Sequence, residues 1–323
     1  MIGIPFGVAF VATFLSTMVL IRLCARAGIV GRDVNKPRQP EIPEMGGLAI
    51  VAGFCAGILF ALGMMSFLHL FPQVNMLLLL AVIATVLMLA LIGVVDDLLD
   101  MRQWVKALLP LLAAVPLMAV RAGHSTVWIP FVGRVNFWIY YPLVLVPLGV
   151  TGAANAVNML AGFNGLEVGM GIVAMGSLSV IAWQTGQATA LLLLLCGLGA
   201  LLGMLYFNWY PARIFIGDVG TLSIGAILAS ACIIGNFEVA GVIIIVPYAV
   251  DFLLKAAHGF PSKGWWGDLG EDGKLRCPTR RLVSLPQAIL KVTGGLRERS
   301  LVLILIGFEA LCGFASVLFY LRA

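Results

Sequence analysis

Ten apolar stretches, most of them close to twenty residues long, dominate this sequence and limit what it can fold into. A helix needs ~20 largely apolar residues to cross a bilayer, and each spanning segment must satisfy its own backbone hydrogen bonds. Because 61% of the 323 residues are hydrophobic and only 11% are charged, the chain cannot cover itself with polar surface in water. The predicted spans are 2–24, 46–70, 76–95, 105–121, 142–160, 167–184, 188–207, 213–234, 239–258 and 300–321. The predicted fold class is therefore an all-α polytopic membrane protein with about ten transmembrane helices.

The basic residues fall almost entirely on alternate connections between these spans. The odd-numbered connections and their flanks carry seventeen Lys and Arg residues, whereas the even-numbered ones carry only Arg121 and Arg134. Since basic residues mark the cytoplasmic side, we expect the odd connections in the cytoplasm and both termini outside. The membrane would be the plasma membrane of a prokaryote, or the endoplasmic reticulum of a eukaryote. The net charge of +5 then needs no nucleic acid to explain it.

Two of the connections contain structural signals of their own. An aromatic run over 127–140, interrupted by Val-Gly-Arg, predicts a small hairpin on the outside. The connection 259–299 contains Asp272-Gly273, which is a hairpin-turn signal, followed by a short helix predicted from Leu285 to Val292. Neither of these two connections is long enough to fold as a separate domain. We therefore predict one transmembrane domain over 1–323, with 259–299 as a cytoplasmic loop within it.

Acidic and amide residues gather at the span ends that face the basic connections. They are Asp96, Asp97, Asp100, Asn155, Asn158, Asn164, Glu167, Asn208, Asp218 and Asp251. Any one of them could be a solvated or hydrogen-bonded residue, but independent solvation does not predict so one-sided a set. Oxygen ligands suit a hard cation such as Mg²⁺, which binds one or two carboxylates together with substrate phosphates. The set therefore predicts metal-assisted phosphoryl transfer.

Two long motifs make this interpretation specific: NAVNMLAGFNGLEVGMG at 155–171 and NWYPARIFIGD at 208–218. They resemble the polyprenyl-phosphate N-acetylhexosamine-1-phosphate transferase family. Within it they are most similar to the eukaryotic and archaeal branch, the UDP-N-acetylglucosamine dolichyl-phosphate N-acetylglucosamine-phosphotransferases. Shorter matches are NKPRQPEIPEMGG at 35–47, GVVDDLLDMRQWVK at 93–106 and CPTRR at 277–281, in the family's order. The resemblance spans nearly the whole chain.

The resemblance implies transfer of N-acetylglucosamine 1-phosphate from UDP-N-acetylglucosamine to a polyprenyl (dolichyl-type) phosphate, with release of UMP. This would be the first membrane step of N-glycan or surface polysaccharide assembly. It also implies Mg²⁺, or Mn²⁺ in its place, held by Asn158 and Asp218. Within the wider site, the implied catalytic residues are Asp96, Asp97, Lys106 and Asp218.

The resemblance further implies a set of substrate-binding residues: Glu44, Asp100, Asn164, Phe215, Arg280 and Arg281. Phe215 would stack on uracil and Asn164 would read the uracil edge, while Arg281 would contact the diphosphate. The cytoplasmic loop 259–299 would be a sugar-recognition loop within one transmembrane catalytic domain over 1–323. The chain departs from the family pattern at Asp100, where the relatives have Asn, and at Thr279 and Arg280, where the eukaryotic enzymes have Arg and His.

Several alternatives stay open at the level of sequence. Asp96 is either a general base or a positioning group, and the sugar is either N-acetylglucosamine or another UDP-activated sugar, including UDP-muramoyl-pentapeptide. A homodimer is open as well. Outside the family, Asp96-Asp97-Leu98-Leu99-Asp100 matches the DDxxD pattern of prenyl diphosphate enzymes, and charged groups within spans occur in transporters. UMP release that depends on a polyprenyl phosphate would separate these activities.

Overall fold

A computed structural model describes residues 2–99, 101–261, 266–278 and 282–322. The described chain is a bundle of α-helices with three small two-stranded hairpins. The helices are α1 Gly3–Ala27, α2 Gly47–Leu68, α3 Met76–Leu99, α4 Gln103–Leu108, α5 Pro110–Ala113, α6 Val115–Ala119, α7 Val146–Met159, α8 Leu166–Gln184, α9 Ala188–Asn208, α10 Gly217–Gly235, α11 Glu238–Ile244, α12 Val246–Ala256, α13 Leu285–Thr293 and α14 Glu298–Arg322. The predicted all-α membrane architecture is confirmed.

Ten spans were predicted, and the described residues contain eight or nine helices that each meet the length and apolarity of a span. Over the described ranges, eight helices are long and apolar enough to cross a bilayer, or nine if the bent pair α11 and α12 forms one span. One of the eight is α7 together with the π-helical turn Tyr141–Leu145 that directly precedes it. The predicted fourth span, 105–121, is instead three short helical pieces. Pro110 and Pro116 each stand in the first turn of a new piece, since a proline cannot continue the preceding helix. The stretch Gln103–Ala119 is thus apolar and helical, but shorter than the other spans and interrupted.

The bend between α11 and α12 has a similar cause. The two helices meet at an angle of 58° at Ile245. Pro247 lies in the first turn of α12, where a backbone N–H would have no partner within the helix. Because proline lacks that N–H, α12 can begin here but α11 cannot continue through it. Asp251 and Lys255 lie on α12 beyond this bend, so the bend sets where these two buried charges enter the bundle.

Helix α10 is the centre of the bundle. Every residue from Val219 to Gly235 is buried, and α2, α3, α7, α8 and α9 all pack against the helix. Small residues allow this: a Cβ atom on Gly225 would come 2.5 Å from the Cα atom of Ala154 in α7. Close backbone approach of this kind is how membrane helices associate. The start of α10 is therefore held rigidly by its neighbours.

The three hairpins lie in the connections. They pair β1 Val30–Arg32 with β2 Glu41–Pro43, β3 Thr126–Ile129 with β4 Gly133–Asn136, and β5 Asp268–Leu269 with β6 Leu275–Arg276. The second is the predicted aromatic hairpin, and the third contains the predicted turn, in which Gly273 has a φ of +71°. The predicted short helix is also present, as α13. Because the β3–β4 hairpin lies near the C-terminal end of α10, we call that side the hairpin end.

Candidate active site

The first turn of α10 begins at the opposite end, which we call the site end. Gly217 has a φ of +63° there, and a Cβ atom on it would come 2.5 Å from Oδ2 of Asp97. Asp97 accepts hydrogen bonds from the backbone N–H of Asp218 at 2.9 Å and of Val219 at 3.4 Å. Helix N-termini carry unpaired N–H groups and partial positive charge, which a carboxylate stabilises. Asp97 therefore caps α10 and fixes where Asp218 stands.

Lys106 brings the remaining predicted catalytic residues together. Its Nζ atom contacts the carboxylates of both Asp96 and Asp218, although 112 residues separate Lys106 from Asp218. Asp96 lies near the C-terminus of α3, where its carboxylate accepts a hydrogen bond from the N–H of Met101 at 2.8 Å. The short helix α4 then turns Lys106 back over both acids. One ammonium group therefore serves two carboxylates, those of Asp96 and Asp218.

A cavity of about 340 Å³ opens beside this cluster. Its wall is built from four segments of the chain: residues Gly31, Arg32, Asp33, Val34, Glu44, Ala161, Gly162, Phe163, Glu167, Asn208, Phe215, Ile216, Gly217, Asp218, Thr221 and Trp266. The size is at the low end of what small-molecule sites use. Three predicted site residues, Glu44, Phe215 and Asp218, therefore line one cavity.

Phe215 and Glu44 are placed by the same piece of backbone pairing. The N–H of Phe215 donates to the carbonyl of Pro43 at 2.8 Å, and the carbonyl of Phe215 accepts from the N–H of Gly46 at 2.8 Å. Glu44 lies between these two contacts, and its carboxylate comes within 3.0 Å of where a Cβ atom on Gly31 would stand. Burial, and then the charge of Asp97, raise the pKa of Glu44 above its usual range. The wall thus combines an aromatic ring with an acid that resists ionisation.

Asn164 is predicted to read a base edge, and in the structure its side chain is held by the protein. Its Oδ1 atom accepts from the N–H of Ala212 at 2.8 Å and from Lys36 at 3.3 Å, while its Nδ2 atom donates to Asp33 at 3.1 Å. Its neighbour Phe163 lines the cavity, but Asn164 itself does not. The role of Asn164 in base recognition stays a prediction.

Asn158 lies one helical turn beyond Ala154 on α7, on the stretch that runs towards the site end. Its Nδ2 atom is buried and has no hydrogen-bond partner among the described residues. Asn158 does not line the cavity itself, but Ala161 and Gly162, which directly follow α7, share its wall with Asp218. The Nδ2 group of Asn158 is therefore not committed to a contact within the described residues.

The predicted metal can be tested against these donors. Among the described residues, no three His, Cys, Asp or Glu side chains form a group that could hold a metal ion. Mg²⁺ does not require one, because it commonly takes one or two carboxylates and completes its shell with waters and phosphates. Asp218 and Asn158 each carry side-chain oxygens of the kind that Mg²⁺ prefers. The donor set therefore fits a hard divalent cation.

The long connection before α14 is attached to the bundle on one side of the site. Asp251 accepts a hydrogen bond from the N–H of Leu285 at 2.8 Å and pairs with Lys255, which contacts the carbonyl of Met159. Trp266 from this connection lines the cavity. The predicted substrate-binding residues Asp100, Arg280 and Arg281 lie outside the described residues.

Three charged residues near the cavity are absent from the predicted site: Asp33, Lys36 and Glu298. A fourth, Glu167, belongs to the acidic set predicted from sequence but was given no role of its own. Glu167 accepts a hydrogen bond from the N–H of Gly162 and so shapes the cavity wall. Lys36 stands inside the motif at 35–47, so motif membership could have indicated it, whereas Asp33 lies two residues before that motif. Glu298 had no such signal, because its partners are remote in sequence.

The fold and this site together define an integral membrane enzyme with a charged cavity at one end of its helix bundle. Residues 79–236 match the family model described as glycosyl transferase family 4. A protein of Saccharolobus solfataricus, provisionally named UDP-N-acetylglucosamine–dolichyl-phosphate N-acetylglucosaminephosphotransferase, is 38% identical over 98% of this chain and 95% of its own length.

Two further relatives extend this similarity to other branches. The Dictyostelium discoideum UDP-N-acetylglucosamine–dolichyl-phosphate N-acetylglucosaminephosphotransferase is 27% identical over 90% of this chain and 81% of its own length. The phospho-N-acetylmuramoyl-pentapeptide-transferase of Halalkalibacterium halodurans is 34% identical over 67% and 68%, respectively. The chain belongs to glycosyl transferase family 4, which confirms the resemblance seen in its motifs, and it is an enzyme of the phosphotransferase class.

Proposed function

We propose that this enzyme transfers N-acetylglucosamine 1-phosphate from UDP-N-acetylglucosamine to a dolichyl-type polyprenyl phosphate and releases UMP. The observation that carries the proposal is the Lys106 cluster, in which one ammonium group pairs with Asp96 and Asp218. Asp218 also lines the cavity whose wall contains Phe215 and Glu44. The near full-length similarity to a relative named for this reaction supports the choice of substrates.

The reaction needs little acid-base chemistry from the protein. A phosphate monoester has a second pKa of about 6, so the lipid phosphate is mostly dianionic at neutral pH and can attack without a strong base. Its oxygen forms a bond to the phosphorus that carries the sugar, the bond from that phosphorus to the bridging oxygen breaks, and UMP leaves with the electron pair. The main obstacle is repulsion between two anions, so positioning and charge neutralisation are the main contributions.

The residues of the cluster suit these tasks. Lys106 would screen the approaching phosphates, and Asp96 would hold the ammonium group in place through the contact that the structure shows. Phe215 offers a ring for the base at the wall of the cavity. Asp218 and Asn158 would hold Mg²⁺, which when bound would neutralise the diphosphate and make UMP a better leaving group. Asp97 would act through α10 by fixing Asp218.

The site end would face the cytoplasm. Lys and Arg residues flank this end, whereas the hairpin end has only Arg121 and Arg134 in its connections, and basic connections stay on the cytoplasmic side. A cytoplasmic site would meet soluble sugar nucleotides from one side and the lipid phosphate from the bilayer. Both termini would then lie outside.

The test is UMP release by the purified protein in lipid nanodiscs. The panel contains UDP-N-acetylglucosamine, UDP-N-acetylgalactosamine and UDP-N-acetylmuramoyl-pentapeptide, each with and without dolichyl phosphate, and each with Mg²⁺ or a chelator. We expect release from UDP-N-acetylglucosamine that requires both the lipid and the metal. Preference for the muramoyl-pentapeptide donor would favour the activity named for the bacterial relative, and no release with any donor would refute the proposal.

A further inference from the structure

Lys36 is the centre of a buried polar network that lies behind the cavity wall and outside the Lys106 cluster. Its Nζ atom lies 3.3 Å from Oδ2 of Asp33, contacts the carboxylate of Glu298, and lies 3.3 Å from Oδ1 of Asn164. The same ammonium group stands 4.2 Å from the centre of the Tyr210 ring. Both acids are only 4% exposed, so two buried carboxylates depend on this one cation.

The network joins four segments that are distant in sequence. Asp33 belongs to the connection between α1 and α2 and lines the cavity itself. Asn164 follows α7, and its Oδ1 atom also holds the N–H of Ala212 in the connection between α9 and α10. Glu298 is the first residue of α14, at the end of the long connection that contains Trp266, and it accepts from the N–H of Asn164 at 2.8 Å. Every segment that forms the cavity wall, or leads directly into it, therefore meets at Lys36.

Lys36 does not line the cavity, so any effect on substrate must pass through these neighbours. Removing one partner of a buried ion pair leaves an uncompensated charge, which neighbouring segments relieve by moving apart. Here the segments that would move carry Asp33, Phe163 and Trp266, which are cavity wall, rather than the Lys106 cluster. The Lys106 contacts involve none of the Lys36 partners.

We propose that Lys36 is a positioning residue for the sugar nucleotide, which sets the fit of the cavity wall without taking part in the transfer step. This inference rests on the proposed function for its substrate. It makes Lys36 a determinant of the affinity for the donor substrate, because a displaced wall weakens binding in ground state and transition state alike. The transfer step, which depends on the Lys106 cluster, would keep its rate once substrate is bound.

The experiment compares Lys36→Met, Lys36→Arg and Arg38→Met. Arg38 stands in the same connection, is exposed, and gives the same change of charge. We expect Lys36→Met to raise KM for UDP-N-acetylglucosamine by about tenfold to a hundredfold with little change in kcat, and to weaken UMP binding in calorimetry. Lys36→Arg should restore most of the affinity, and Arg38→Met should resemble the wild type.

Two further measurements keep the test decisive if Lys36→Met folds poorly or the substrate assignment is wrong. The double variant Lys36→Met/Glu298→Gln removes one charge of each sign, so it should fold better and still show the raised KM. Hydrogen exchange at the amides of Asn164 and Ala212, which the network protects, should accelerate in both Lys36→Met variants without any substrate present.

Three results would overturn the inference: a folded Lys36→Met protein with wild-type KM and UMP affinity, an equal effect of Arg38→Met, or unchanged exchange at the two amides. A wild-type protein that releases no UMP from any donor would defeat the proposed function instead, and the exchange measurement would still decide whether Lys36 holds the wall.

Discussion

The first and last turns of α10 lie at opposite ends of the bundle, and both receive polar contacts from other segments. At the hairpin end, Asn236 has a φ of +54° and ends the helix, and its side chain accepts from the N–H of His124 at 2.8 Å. Tyr141 donates to Glu238 beside it. At the site end, Asp97 alone satisfies two N–H groups of α10. Both ends of α10 are therefore tied to other segments by polar contacts.

The site end contains charges that capping does not need. Asp96, Lys106 and Asp218 form a partly buried set with one cation for two acids. Buried ion pairs seldom add stability over apolar packing, because desolvation of the charges is costly. Such a set at one end of a helix, when the other end lacks it, indicates substrate binding or catalysis rather than folding.

The largest expected difference between the two ends follows from Asp218→Asn. This change keeps the shape of the side chain but removes the charge that would hold Mg²⁺ and pair with Lys106, so we expect transfer activity to fall by about 10²- to 10³-fold. The matched variant Glu238→Gln at the hairpin end keeps an acceptor for Tyr141 and should retain activity near the wild-type level. UMP release under saturating substrates measures both. Comparable losses in the two variants would erase the distinction between the ends.

Much of this comparison could be predicted from sequence, because the bilayer imposes local rules. Apolar length locates the helices, and an Asp-Gly pair locates a turn, since each depends on neighbouring residues only. The motif residues Glu44, Phe215 and Asp218 share one cavity in the structure. The predicted span 105–121 is broken into short pieces because two prolines interrupt a stretch whose hydropathy alone favours one continuous helix.

The partners of the charged residues could not be predicted in this way. The N–H of Asn164 donates to a carboxylate 134 residues away, and Lys36 pairs with an acid 262 residues away. Such pairs depend on how helices pack, which one sequence does not specify. Asp33 and Glu298 were missed for this reason, and Asn164 was assigned a base contact without its structural partners being visible.

A smaller effect is expected where α2 meets the start of α10. A Cβ atom on Gly47 would come 2.1 Å from the backbone nitrogen of Gly220, two residues after Asp218. Gly47→Ala should therefore push the two helices apart, cost about 1–3 kcal/mol of stability and lower activity by about tenfold. Thermal unfolding in one detergent, together with UMP release, measures both effects.

The control for this change lies on the same helix. Gly63 has nothing within 4 Å of where its Cβ atom would stand, so Gly63→Ala should be neutral or stabilise the helix by about 0.5–1 kcal/mol. If Gly47→Ala were as stable and active as Gly63→Ala, the first turn of α10 would not be held as closely as the contacts indicate.

The smallest expected effect concerns the pH dependence of Glu44. Because burial and the charge of Asp97 raise its pKa in the folded protein, ionisation of Glu44 destabilises the fold. The penalty is absent at pH values below the usual glutamate range, where the group is protonated in both states, and it develops as pH rises through that range to neutral. Glu44→Gln should thus match the wild type in acid and become the more stable of the two towards neutral pH. Thermal unfolding of both proteins across this pH range tests the prediction. The control is Glu271→Gln at an exposed hairpin turn, which reports the effect of removing a surface charge. A constant offset between Glu44→Gln and the wild type, or a gap that narrows as pH rises, would contradict the burial of this carboxyl beside Asp97.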